Sequence, residues 1–97
     1  MDYVLSITEA AELDIKDAFI WYQEQNAHLS ITFEKHLSKT IQNLPKNPLK
    51  IQIRYNKTRV VFLKKFPYGV HFNIQGNQII IIAVFHTSQS PRKWESR

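Results

Sequence analysis

A chain of 97 residues that is 43% hydrophobic and 12% aromatic, with no cysteine, is expected to form one domain, 1–97, around a small core, and it excludes a disulfide scaffold or thiolate metal site. It opens with an acid at Asp2 and holds no apolar run of 18 residues. Neither a secretory leader nor a membrane span is therefore expected, and a cytoplasmic location is.

The formal net charge of +5 is unevenly placed. Residues 1–24 hold six carboxylates against Lys16 alone, a net of −5, whereas residues 25–97 hold twelve bases against Glu34 and Glu95, a net of +10. No carboxylate occurs from Lys35 to Trp94. A field this one-sided suits a polyanionic partner, either nucleic acid or an acidic protein segment.

Tyr3 to Ile7 reads as a short first strand. Thr8 stands as a helix N-cap with Glu9 and Glu12 in the first turn, where the helix dipole favours acids. Ala11 occupies the place at which a capping box would carry Glu. Ala11, Ile15, Ala18, Phe19 and Tyr22 then share one helical stripe, and this helix runs to about Gln25. Trp21 and Tyr22 read as helix-packing residues. Asn26-Ala27-His28 is a short break. A second helix starts near Ser30, carries Phe33, Leu37, Ile41 and Leu44, and is stopped by Pro45. Two helices with so short a connection form an antiparallel αα-hairpin.

Ile51, Ile53 and Tyr55 alternate with Gln52 and Arg54, which permits a short strand. Arg59 to Lys65 is a clearer one. Phe66-Pro67-Tyr68-Gly69 has the order of a type I turn, joining that strand to Gly69–Gln75. After Gln75-Gly76-Asn77-Gln78, another turn cluster, Ile79 to Phe85 is unbroken apolar sequence, rich in β-branched residues, and reads as a central strand covered on both faces. If Ile74 opposes Ile79, His71 faces Ile82 and His86 faces Pro67. The order is β-α-α-β-β-β. It predicts a two-layer α+β fold in which the αα-hairpin covers an antiparallel meander and the first strand joins the sheet in a direction left open.

The motifs FPYGVHF and AVFHTSQSPRKW resemble the RelE/ParE superfamily of bacterial type II toxins, in its ParE-like, plasmid-stabilisation branch. The similarity extends over nearly the whole chain and takes in Thr8-Glu9-Ala10, Trp21-Tyr22 and Asn47-Pro48. Gln89-Ser90 departs from it, since relatives commonly carry Arg-Asp before the proline. The resemblance implies a small toxin neutralised by an antitoxin encoded beside it. Its ParE branch is associated with inhibition of DNA gyrase, and its RelE branch with cleavage of messenger RNA on the ribosome.

Cleavage of RNA through a 2′-hydroxyl needs a base, an acid and cations. Cations are plentiful: Arg54, Arg59, Lys64, Lys65, Arg92 and Lys93 are the expected target- or phosphate-binding set. For acid/base work only His71, His86, Tyr55 and Tyr68 lie near the strands. His86 is the catalytic candidate if the protein is an endoribonuclease, yet the expected register keeps it too far from His71 for the two to work as a pair. Ser88 and Ser90 have no acidic partner nearby to make a nucleophile. His28, His36, His71 and His86 lack metal-ligand spacing, so neither metal nor cofactor is expected. Tyr55, between Arg54 and Lys57, could stack on a base, and Trp94 reads as an anchor for the C-terminal tail. The leading expectation is a ParE-like toxin acting on gyrase by binding and held by an acidic antitoxin. A ribosome-dependent endoribonuclease and a non-catalytic nucleic-acid-binding module are the alternatives.

Overall fold

The two helices are joined by one residue. Asn26 is extended (φ −171°, ψ 124°); its N–H donates to the carbonyl of Tyr22 at 2.8 Å, and its Oδ1 accepts the N–H of His28 at 2.8 Å. A single Asn thus ends α1 (Glu9–Gln25) and caps α2 (Ala27–Asn43). The break expected over three residues is one, because the amide side chain does the capping that a longer loop would otherwise supply. At the other end of α1, Thr8 caps as expected, its Oγ1 accepting from the N–H of Ala11 at 3.2 Å.

The computed structural model describes residues 2–89. Its remaining elements are β1 (Val4–Ile7), two 3-10 turns (Leu44–Lys46 and Pro48–Lys50), β2 (Ile53–Tyr55), β3 (Thr58–Phe62), β4 (Tyr68–Gln75) and β5 (Gln78–His86). The strands form one five-stranded sheet in the order β1-β5-β4-β3-β2. Strands β2 to β5 are the antiparallel meander, and β1 adds to β5 in parallel, so the sheet is mixed. The short strand allowed at 51–55 forms and lengthens the meander by one. It is held by a two-residue loop with positive φ at both Asn56 and Lys57, the type I′ geometry that matches strand twist.

The core lies between the αα-hairpin and one face of the sheet. Phe33, Leu37 and Ile41 of α2 and Ala11, Ala18 and Tyr22 of α1 meet Val70, Phe72, Ile79, Ile81 and Val84. Tyr22, Phe33 and Phe66 form an aromatic knot with ring centroids 5.2–5.4 Å apart. The expected strand over 59–65 ends instead at Phe62, because Leu63 and Phe66 leave the sheet to enter this core. The chain then reverses through a tight turn centred on Pro67, with the N–H of Tyr68 donating to Phe66 O at 2.8 Å. Gly69 is therefore not the last residue of a type I turn. It is paired within β4, where a Cβ would stand 2.9 Å from Val60 Cγ1. Close cross-strand packing explains that glycine.

One irregularity governs everything at the far end of β5. Ile74, Asn73 and Phe72 oppose Ile79, Ile80 and Ile81 in the expected register. His71 then opposes Ala83, and Tyr68 opposes His86. Ile82 is the extra residue of a β-bulge, which corrects the expected pairs His71–Ile82 and His86–Pro67 by one position. Odd-numbered Ile79 and Ile81 face the helices before the bulge, and Val84 and His86 face them after it. Beyond Ile7, β5 has no strand on its β1 side. There the Asp14 carboxylate of α1 accepts the N–H of Val84 at 3.1 Å.

Candidate functional site

Of the six expected cations, the four within the described residues take different roles. Arg54 is exposed on β2, its guanidinium 5.2 Å from the centroid of the Phe62 ring. Arg59 points back into the protein: its Nη1 donates to the carbonyl oxygens of Leu49 (3.3 Å) and Ile51. It ties the Pro48–Lys50 turn to β3 through one terminal nitrogen of its guanidinium. Lys64 and Lys65 are exposed on the segment between β3 and β4. Lys64 rims a groove of about 360 Å³ together with His36, Lys39, Asn43 and Asn47, floored by Leu44, Ile51, Val61 and Phe62. Arg92, Lys93 and Trp94 lie outside the described residues.

The two strand histidines lie on opposite faces of the sheet. His71, 1% exposed, is on the face away from the helices; its Nδ1 is 2.8 Å from the Tyr55 hydroxyl, and its ring stands edge-on to Phe85 at 5.1 Å. The Tyr55 hydroxyl is thus engaged with His71. On the same face Thr58 Oγ1 donates to Asn73 Oδ1 at 2.9 Å.

His86 faces the helices, with its ring 5.2 Å from that of Tyr68 in an edge contact. Its Nδ1 accepts the N–H of Ser88 at 3.0 Å and lies 2.7 Å from Ser88 Oγ. An Nδ1 that accepts a backbone N–H is unprotonated, so the ring proton of the neutral form is on Nε2. The His86 N–H donates to Gln89 Oε1 at 3.1 Å. His86 therefore terminates β5 in a hydrogen-bonded turn, and its distance along the hairpin from His71 is compounded by the sheet between them.

Around His86 are two adjoining depressions. One, about 230 Å³, is lined by Asp14, Asp17, Ala18, Trp21, Tyr68, Val84, Phe85, His86 and Gln89. The other, about 410 Å³, is lined by Trp21, Tyr22, Pro67, Tyr68, His86 and Ser88. Tyr22 is a packing residue as expected, but Trp21 is 54% exposed and stands between the depressions. The sequence offered a signal for this half of the cleft, since Asp14, Asp17, Ala18 and Trp21 recur at +3, +4 and +7 on α1. The other half depends on the bulge. Burial raises the phenol pKa of Tyr22, and that of Tyr68 through burial and then the neighbouring Tyr22.

A fourth concavity, about 420 Å³, opens between α1, α2 and β1. Ile15 and Phe19 from the expected α1 stripe line it beside Ile7, Phe33, Leu37 and Ile41. Among the described residues, no group of three His, Asp or Glu side chains could hold a metal ion, and no helix is long and apolar enough to cross a membrane.

The arrangement is that of a small two-layer protein with a cationic strand edge and an apolar groove between its helices. Residues 5–91 match the family model described as ParE toxin of type II toxin-antitoxin system, parDE. The chain belongs to this family. A solved structure, "Chromosomal ParDE TA system from P. aeruginosa", superposes with a TM-score of 0.78 at 15% identity, covering 87% of this chain and 95% of that one. At that identity the similarity is one of fold. No curated protein sequence matches the chain significantly.

Proposed function

We propose that this ParE-family toxin acts by binding its target, with DNA gyrase as that target, and that an acidic antitoxin neutralises it. The observation carrying the binding mode is the histidine geometry. His86 Nδ1 is occupied by the Ser88 N–H, and His71 is buried on the other face of the sheet. An acid and a base on opposite faces cannot serve one phosphodiester. The cations Arg54, Lys64 and Lys65 provide a surface for an acidic target region. The antitoxin is expected to lay an apolar ridge into the groove lined by Ile7, Ile15, Phe19, Leu37 and Ile41, with its acidic residues toward the basic strands.

The test pairs growth arrest with two purified assays, gyrase supercoiling and cleavage of message on translating ribosomes. Supercoiling should be inhibited by the wild type and by His86→Ala, and lost on joint charge reversal of Arg54, Lys64 and Lys65. Arg59 is left intact because of its internal bonds. A catalytic histidine would cost about 10²–10⁴-fold on removal. Ribosome-dependent cleavage that disappears in His86→Ala would replace this reading with the endoribonuclease.

A further inference from the structure

We propose that the cleft between α1 and the end of β5 is a docking site for an arginine side chain of a protein partner. Its sign is opposite to that of the basic strand edge, and it does not depend on which target the toxin binds.

The cleft is built by one stripe of α1 set against the end of β5. Ala18, 4% exposed, lets the helix lie close to Val84 and Phe85. Asp14 is engaged with the Val84 N–H. Asp17, one turn before Trp21, is the exposed carboxylate at the mouth. Trp21 is steadied by an edge contact with Tyr22, centroids 5.1 Å apart at 86°, which leaves much of its surface open. Tyr68 forms the opposite wall and is itself steadied by His86.

Flat, electron-rich rings beside a carboxylate are what a cation–π site consists of. A guanidinium fits such a place better than an ammonium, because it is planar, weakly hydrated and able to stack while bonding a carboxylate through two N–H groups. The acid-lined depression, about 230 Å³, is below the range of about 300–1,000 Å³ usual for small-molecule sites. A single side chain suits it. Charge complementarity selects the occupant: residues 1–24 carry a net of −5 in a chain that is otherwise basic. An apolar partner would gain from Trp21 and Tyr68 but would leave the Asp17 carboxylate idle.

The test follows the Trp21 indole N–H by NMR in the full chain, with Trp21→Phe assigning one of its two tryptophans. The probes are N-acetyl-arginine methylamide and its neutral citrulline counterpart. The arginine compound should give a saturable shift that the citrulline compound does not. Asp17→Asn should weaken it about tenfold, the loss of one charge-assisted contact. Glu9→Gln, the same charge change at the start of the helix, should leave it unaltered. Both are exposed positions, so both variants should fold, Glu9→Gln with a slightly lower unfolding midpoint because it removes an acid from the first turn of α1. Free arginine should bind more weakly than the blocked form, because its own carboxylate meets Asp17. The proposal is overturned by an equal response to citrulline, by the absence of a saturable shift, or by equal losses in Asp17→Asn and Glu9→Gln. Tighter binding of the free amino acid would rule out a protein partner as the source.

Discussion

Arg59 shows how little a residue's type says about its task. In sequence it is one cation among eleven from Lys35 to Lys93, and in the fold its guanidinium holds two backbone carbonyls of the 49–51 segment. Hydrogen bonds to a charged group contribute about 1.5–3 kcal/mol, so Arg59→Met should destabilise by that amount in chemical denaturation. Lys64→Met, at an exposed position, should stay within about 0.5 kcal/mol. Equal losses would mean that Arg59 does not anchor the segment. Tyr22 gives a second expectation. Its phenol pKa is raised by burial, so the folded state keeps the proton where the unfolded chain, with a pKa of about 10, releases it. That stabilisation is complete below the unfolded pKa and is lost as pH rises through the higher folded value. Tyr22→Phe should therefore lose less stability between pH 9 and 11 than the wild type. Denaturation midpoints across that range decide it.

Elements were legible where the local signal and the tertiary demand agree. Thr8 at the start of α1 and the stripe Phe33, Leu37 and Ile41 in α2, continued by Leu44 in the following 3-10 turn, follow from spacing, and the two-sided burial of β5 follows from its unbroken apolar run. The bulge does not. Ile79 to Phe85 is apolar at every position, so no alternation marks the place where the face switches. The site inherits this illegibility: with the phase unmarked, the sequence could not tell which face His86 joins, and Trp21 had no visible counterpart across the cleft. Gly69 misled for a related reason, since a glycine beside Pro67 suits a turn and a crowded strand pair equally well. The core expectation is direct. Leu37→Ala and Ile81→Ala, at positions 3% and 0% exposed, should each destabilise by about 2–5 kcal/mol. Lys50→Ala should change stability by less than about 0.5 kcal/mol. Equal losses for Lys50 and Ile81 would contradict a core packed between the helices and β5.

At the scale of the molecule, the charge seen as two blocks in sequence becomes two regions in space. The acids lie mainly on α1, and the bases on α2, the strand edge and the β3–β4 segment. A partner approaching the basic side is drawn by a field that salt screens over about 8–10 Å near physiological ionic strength. Association with the acidic antitoxin proposed above should therefore slow as salt rises, with a smaller effect on dissociation. Stopped-flow mixing of the purified pair at low and high salt tests this. Equal association rates would refute steering by the basic surface.

The pairing of β1 with β5 sets a schedule for synthesis. Val4 is bonded into register with Gln78, 74 residues later. At about 5–20 residues per second, the ribosome needs roughly 4–15 s to make the partner that the first strand requires. Until then Leu5 has no Ile79 beside it, the bulge has no strand to form in, and the helical hairpin has only part of a sheet to cover. The helices can form early as local structure, but β1 gains its partner only once Gln78 to Ile81 have been made. A chain released before Ile81 would lack its central strand and, with it, the end of the cleft. The wall of the cleft supplied by Val84 to His86 is therefore among the last parts of the described fold to be assembled.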